Sequence, residues 1–343
     1  MKKELLKKEV KHFDIKSVDV VNIFKQFENM SFQARNIAEA ASIYNKMLAD
    51  DNCTIILTLA GSLFSAGLKK IVYDLIDLNM VDAIVSTGAI IVDQDFFEAL
   101  GFKHYVGTPF IDDDLLMKNS IDRIYDTYID EEELRECDMT VKEIADTLEP
   151  TPYSSRQFIE FMGEYLIKNG KGETSVVRLA CEKHIPIFVP AFSDCSAGFG
   201  LIFHQFESDK TKSPKVSIDS AKDFLELTKI KLASNDTGIF MVGGGVPKNF
   251  TQDVTVACDI LGENAPLHKY AIQITVADER DGGLSGSTLK EAHSWGKVDD
   301  KNEQMVFAEA TLAFPLICAY VYQKGEWKRR KAKNFNSLLN GEK

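Results

Sequence analysis

Cys53-Thr54-Ile55-Ile56-Leu57-Thr58-Leu59 is a short β-rich run that stops at Ala60-Gly61-Ser62. A run apolar at almost every position has no face to offer water, so it reads as a strand of a parallel sheet covered on both sides. Upstream, from Phe32 to Leu48, the apolar residues Ile37, Ala41, Tyr44 and Leu48 recur at helical spacing. Downstream, a helical pattern continues to Leu78, and Ala83-Ile84-Val85-Ser86-Thr87-Gly88 is a second short run ending in small residues. The alternation returns at Ile187-Phe188-Val189-Pro190, at Ile239-Phe240-Met241-Val242 before Gly243-Gly244-Gly245, and at Tyr270-Ala271-Ile272-Gln273-Ile274. Such an order predicts an α/β, Rossmann-like fold with a mainly parallel sheet and helices on both faces.

The rest of the chain bounds this reading. Its 343 residues, 45% hydrophobic and 27% charged, can bury one large core, and no repeat or Pro/Gly/Ser-rich linker forces a second domain. Residues 1–323 are therefore expected to form one domain with an N-terminal extension. The basic stretch 324–343, with Lys328, Arg329, Arg330, Lys331 and Lys333, is expected to be a flexible tail. A net charge of −12 argues against a nucleic-acid partner, which needs a basic face. The early lysines Lys2, Lys3, Lys7 and Lys8 precede no apolar stretch of signal-peptide type, and no apolar run reaches the ~18 residues of a membrane span, so the chain reads as cytoplasmic. Six separated cysteines without a Cys-x-x-Cys pair, and six histidines without metal spacing, predict reduced thiols and no metal. The acidic segment from Asp112 to Thr151 reads as a solvated helical excursion.

Function is expected at the strand ends, because small residues there let backbone amides approach a phosphate. Gly243-Gly244-Gly245 alone fits a packing turn as well as a dinucleotide loop, and Gly-x-Gly-x-x-Gly is absent. Between Ala277 and Pro315 lie Asp278, Glu279 and Asp281 beside Gly282-Gly283, then Glu291, Trp295 and Lys297 around Ser294-Trp295-Gly296-Lys297. A partly desolvated lysine beside an aromatic wall loses its proton easily and can form an imine, although the same residues also fit a surface lysine next to a packing tryptophan.

These blocks resemble deoxyhypusine synthase. The resemblance is carried by Glu291 through Lys297, Val306-Phe307-Ala308-Glu309-Ala310, Phe314-Pro315-Leu316, Ser31-Phe32-Gln33-Ala34-Arg35-Asn36, Asn79-Met80-Val81-Asp82, His184-Ile185-Pro186-Ile187-Phe188, Pro190-Ala191-Phe192-Ser193-Asp194 and Gly243-Gly244-Gly245-Val246. They run in order from about residue 12 to 323. The resemblance implies an NAD-dependent transferase that moves the aminobutyl group of spermidine, or a related polyamine chain, through an imine on Lys297. The acceptor would be a protein lysine, as in hypusine formation, or a small amine, as in the related homospermidine synthases. It implies NAD contacts at Gly61, Ser62, Ser65, Thr87, Gly88, Asp93, Asp194, Ala277, Glu309 and Ala310, and a homotetramer built as a dimer of dimers.

Glu291, Trp295 and Lys297 match the amine half of that pattern, whereas Phe199 and Leu284 replace aspartates and Asn249 replaces a histidine. Asp253, standing where the family has an asparagine, and Asp278, Glu279 and Asp281 are expected to supply part of the missing charge to the substrate. Losing two carboxylates argues against unchanged spermidine recognition, since an unpaired buried cation is costly. A catalytically silent NAD-binding paralogue is the competing reading, and the sequence chooses neither the donor nor the acceptor amine.

Overall fold

A computed structural model describes residues 1–341. Six strands form the central sheet: β1 (Cys53–Leu59), β2 (Ala83–Ser86), β3 (Ile187–Phe188), β4 (Asp236–Val242), β5 (Tyr270–Thr275) and β6 (Glu303–Phe307). Their spatial order is β6-β5-β4-β1-β2-β3 and every pair is parallel. This is the doubly wound order, in which successive strands step away from the centre in opposite directions and the switch falls between β1 and β4. Cys53 pairs with Asp236 and Leu59 with Val242, so the turns after both strands open side by side at the same sheet edge.

The helices include α1 (Phe32–Ala49), α2 (Lys69–Asp77), α3 (Glu131–Thr147), α4 (Ser196–Thr211), α5 (Ser220–Leu232), α6 (Gly245–Gln252), α7 (Val254–Ile260), α8 (Leu289–Ser294), α9 (Ala310–Lys324) and α10 (Phe335–Leu339); the 15-residue helix Ser155–Asn169 and several short helices lie between them. Alternation within β1 separates two cores. Ile55, Leu57 and Leu59 face a core that takes Ile37, Ala41, Tyr44 and Leu48 from α1 and Phe314 and Ile317 from α9. Ile56 faces the opposite core with Leu227 and Ile230 of α5, Val254 of α7 and Leu289 of α8. Each fully buried aliphatic contributes roughly 1.5–3 kcal/mol, so both faces of the sheet are covered by amphipathic helices.

Three features depart from the sequence reading. The edge strand β6 was not anticipated; its Glu303 and Gln304 are only half-buried, which hides the apolar run. The acidic segment is not purely helical: Ile121–Ile124 and Thr127–Asp130 pair antiparallel, and α3 follows with Cys137 and Val141 buried. The basic C-terminal stretch is not a flexible tail over its described part. Arg330 donates to Asp82 at 2.6 Å and to the Asn79 carbonyl at 2.8 Å, Lys333 donates to Thr54 at 3.0 Å, and Phe335 is buried against the α5 face. A buried Asp82 needs a cation, and that need draws the chain back onto the body. Residues 342 and 343 lie outside the described part. Among the described residues no helix is long and apolar enough to cross a membrane.

Candidate active site

A cavity of about 740 Å³ opens at the switch point, lined by Gly61, Ser62 and Ser65 after β1, Gly243 and Gly244 after β4, Ala277 after β5, and Glu309 and Ala310 after β6. Backbone geometry explains the small residues. Gly61 has φ +104, and a β-carbon on Gly243, at φ +80, would stand 2.7 Å from the Ala60 carbonyl oxygen. The turn after β1 is held from below by Gln94, whose buried amide oxygen accepts the Phe64 and Ser65 N–H groups at 2.9 and 3.0 Å. Glu309 accepts the Thr311 N–H at 2.8 Å and so caps α9 at the cavity wall.

Four other candidate cofactor residues lie outside that lining. Thr87 follows β2 and donates its N–H to the Leu59 carbonyl at 3.1 Å, which sets it beside the turn after β1. Gly88 packs against Cys195, where a β-carbon would meet the sulfur at 2.4 Å. Asp93 accepts the Ser196 N–H at 2.8 Å, and burial pushes its carboxyl up to about 7. Asp194 is exposed just before α4. The hydroxyl oxygen of Thr87 is buried without a hydrogen-bond partner.

A second cavity, of about 570 Å³, holds the candidate imine lysine. Its lining brings together Asn249, Asp253, Glu291, Trp295 and Lys297 with Leu284, Val256 and Ile260. Lys297 Nζ is 2.6 Å from Asp253 Oδ1, donates to Asn249 Oδ1 at 3.2 Å, and lies 5.5 Å from the Trp295 ring centroid. The Asn249 amide donates to the other Asp253 oxygen at 2.7 Å, so lysine, amide and carboxylate form a closed triangle. One face of the α6–α7 pair supplies Asn249, Asp253, Val256 and Ile260, spaced so that they line up along the helix.

The two cavities share no lining residue. Between them runs 284–287, and a β-carbon on Gly244 would stand 2.5 Å from the Ser285 Cα. Gln273 fixes this wall by donating to the carbonyls of Gly243 and Ser285, both at 3.0 Å.

The deoxyhypusine synthase sequence profile matches residues 22–321. A deoxyhypusine synthase-like protein of Chlorobaculum tepidum is 60% identical over 335 residues, covering 97% of this chain and 95% of its own length. This chain belongs to the deoxyhypusine synthase family. A Methanosarcina mazei protein named probable deoxyhypusine synthase 2 is 39% identical over 94% of this chain and 92% of its own. A solved Entamoeba histolytica structure, assigned provisionally to the deoxyhypusine synthases, covers 92% of this chain and 97% of its own at TM-score 0.59 and 21% identity, a likeness of fold.

In this family member the acids expected to replace lost charge divide. Asp253 lies in the lysine cavity, paired with Lys297 itself. Asp278 does not serve it: it pairs with Arg280 at 2.6 Å. Asp281 lies on an exposed turn, accepts the Gly283 N–H at 2.6 Å, and lines neither cavity. Phe199 also lines neither; it is exposed on α4 in a stripe with Ile202, Phe203 and Phe206. Sequence reasoning missed Gln94, Gln273 and Lys248. The last is fully buried behind the lysine cavity, where burial pushes its ammonium down to about 8 and Nζ donates to the Ser287 carbonyl. Each interrupts an otherwise apolar or turn segment, a signal visible in sequence but without a partner to give it meaning.

Proposed function

We propose that this deoxyhypusine synthase relative is an NAD-dependent aminoalkyl transferase whose covalent residue is Lys297. The observation that carries the reading is the Lys297–Asp253–Asn249 triangle beneath Trp295. The residues present also fit a dinucleotide: a switch-point crevice of suitable size, glycines where a β-carbon would collide, and an orphaned Thr87 hydroxyl beside the turn after β1. Gly61, Ser62, Ser65, Ala277, Glu309 and Ala310 would hold it from the crevice, with Thr87, Gly88, Asp93 and Asp194 on the β2 side. When bound, NAD supplies a hydride acceptor for the carbon beside the donor amine and returns the hydride at the end.

The chain's own groups do the rest. Asp253 Oδ1 is near enough to take the Lys297 proton, which frees the Nζ lone pair to add to the electrophilic carbon of the oxidised donor. Loss of the donor's amine leaves the carried chain on Nζ as an imine; the acceptor amine then adds to the same carbon and expels the lysine. Asn249 keeps Nζ aimed while Asp253 changes charge. Trp295 covers one side of the ammonium, and Glu291 offers a carboxylate to an ammonium of the donor. The donor is a polyamine, and its apolar stem lies against Leu284, Val256 and Ile260. The acceptor is a protein lysine or a small amine.

A homotetramer is part of this reading, supported by two cavities with no common lining and by the exposed apolar stripe on α4. The test is borohydride treatment with NAD and candidate amines, followed by peptide mass spectrometry. Wild type should carry an adduct on Lys297 whose mass identifies the donor. Lys297→Arg should carry none, because a guanidinium stays protonated. Undiminished transfer by the arginine variant overturns the reading.

A further inference from the structure

His268 lies just before β5, is fully buried and lines neither cavity. Its main chain grips the turn that carries Lys297: the His268 N–H donates to the Lys297 carbonyl at 3.0 Å, and the Asp299 N–H donates to the His268 carbonyl at 2.9 Å. Its ring grips the helix that carries the partners of Lys297, because Nε2 is 3.1 Å from the Thr251 carbonyl on α6, midway between Asn249 and Asp253. One residue thus bonds both supports of the Lys297–Asn249–Asp253 triangle.

The hydrogen bonds fix the tautomer. A carbonyl oxygen only accepts, so Nε2 carries the proton and Nδ1 of the neutral ring is the acceptor. Thr237 Oγ1, 2.8 Å from Nδ1, must therefore donate to it, and its oxygen is left to accept from Lys231 Nζ at 2.7 Å. Lys231 is fully buried as well, and burial pushes its ammonium down to about 8. The relay Lys231–Thr237–His268–Thr251 runs through the core from α5 to α6 with a consistent donor and acceptor at each link. A lysine and an imidazole are costly to bury, and apolar packing alone would not require either. Burial also holds His268 well below its ordinary pKa, in keeping with a neutral ring.

We propose that His268, oriented by Thr237 and Lys231, is a positioning residue that sets the distance and angle between Lys297 and the Asn249–Asp253 pair. The proposal rests on the imine role of Lys297. A second tie, from Thr255 Oγ1 to the Gly296 carbonyl at 3.0 Å, fixes the neighbouring peptide but leaves the Lys297 carbonyl to His268. Without the imidazole, α6 keeps its helix yet loses this link to the turn that carries Lys297. A displacement near 1 Å at a reacting group costs on the order of a hundredfold in rate when geometry is set this tightly.

The test reads Lys297 directly and needs neither the donor amine nor the cofactor. Intact protein is treated with butanal and cyanoborohydride: the amine and aldehyde form an imine with loss of water, and cyanoborohydride delivers the hydride that reduces it to a secondary amine. Mass spectrometry gives the rate of Lys297 alkylation relative to exposed Lys301. Wild type, His268→Gln, His268→Leu and Thr237→Val are compared below their melting temperatures. Glutamine can donate and accept as the imidazole does, so the ratio should stay within about threefold of wild type, whereas leucine should lower it about tenfold and Thr237→Val should fall between. An unchanged ratio in the leucine variant, or a glutamine variant as impaired as leucine, overturns the proposal. If the leucine variant does not fold, Thr237→Val decides, and a wild-type ratio there overturns it. Wild-type Lys297 reacting no faster than Lys301 would remove the imine reading itself and the positioning role with it, an outcome distinct from selective wild-type labelling that the variants leave unchanged.

Discussion

Lys297 Nζ and Asp253 Oδ1 stand 2.6 Å apart, with the lysine side chain 13% exposed and the carboxylate 31% exposed. A carboxylate at this distance is placed to accept the proton that Nζ must give up before it adds to an electrophilic carbon. Asp253→Asn should lower the transfer rate by about 10²-fold, within the usual range for removing a general base. Single-turnover transfer rates of wild type and variant check this, and an unchanged rate would make Asp253 a bystander.

Leu284 lies in the lysine cavity, 40% exposed, among Val256 and Ile260. Leu284→Asp should place a carboxylate within reach of a second ammonium and move donor preference toward spermidine by about tenfold, the scale of one charge-assisted hydrogen bond. Phe199→Asp alone should leave a single chain's cavity unaltered, because Phe199 is on α4, and should add to the effect only when a second copy brings α4 to the site. Competition between spermidine and putrescine, in the single and double variants, separates these outcomes.

Asp93 is pushed up to about 7 by burial, with nearby Asp138 and Asp194 acting in the same direction and the Ser196 hydrogen bond opposing. An unfolded aspartate titrates near 4, so between about 4 and 7 the folded chain holds a proton that the unfolded chain lacks. Its contribution to stability is complete below about 4 and is lost as the pH rises through about 7. Asp93→Asn keeps an acceptor for Ser196 without that charge, so its melting temperature should gain on wild type between pH 5 and 8. Asp223, also near 7, is common to both proteins and cancels. Parallel melting curves would expose a carboxyl that is already ionised at pH 5.

Arg330 and Asp82 form a pair with side chains 4% and 1% exposed, and the same Asp82 oxygen accepts the Ile55 N–H of β1 at 2.7 Å. Arg330→Ala leaves that carboxylate buried without its cation and should cost about 3–5 kcal/mol. Truncation after residue 323 should destabilise at least as much. Chemical denaturation measures both, and a truncated chain as stable as the full one would restore the tail to a solvated appendage.

The strands β1 to β5 were legible because each is a short apolar run, and a parallel sheet buried on both faces leaves no polar alternation to confuse them. The glycines after β1 and β4 and the Ser294–Lys297 block were likewise visible, since tight turns and a contiguous motif are both written in local order. Which acid serves Lys297 was not a local property: Asp253, Asp278 and Asp281 look alike in sequence, and only folding gives one to the lysine, one to Arg280 and one to the Gly283 turn. The same holds for Arg330, 248 residues from its partner Asp82, and for His268, joined to Thr237 and Thr251 on two other elements. The sequence by itself determined the α/β class, the order of the strands in the chain and the kinds of side chain the chemistry requires, because these follow from periodicity and covalent neighbours. Tertiary structure alone decided which charges meet, which polar groups are desolvated and how the two cavities are divided, because electrostatic partnership depends on distances that close only when the core packs.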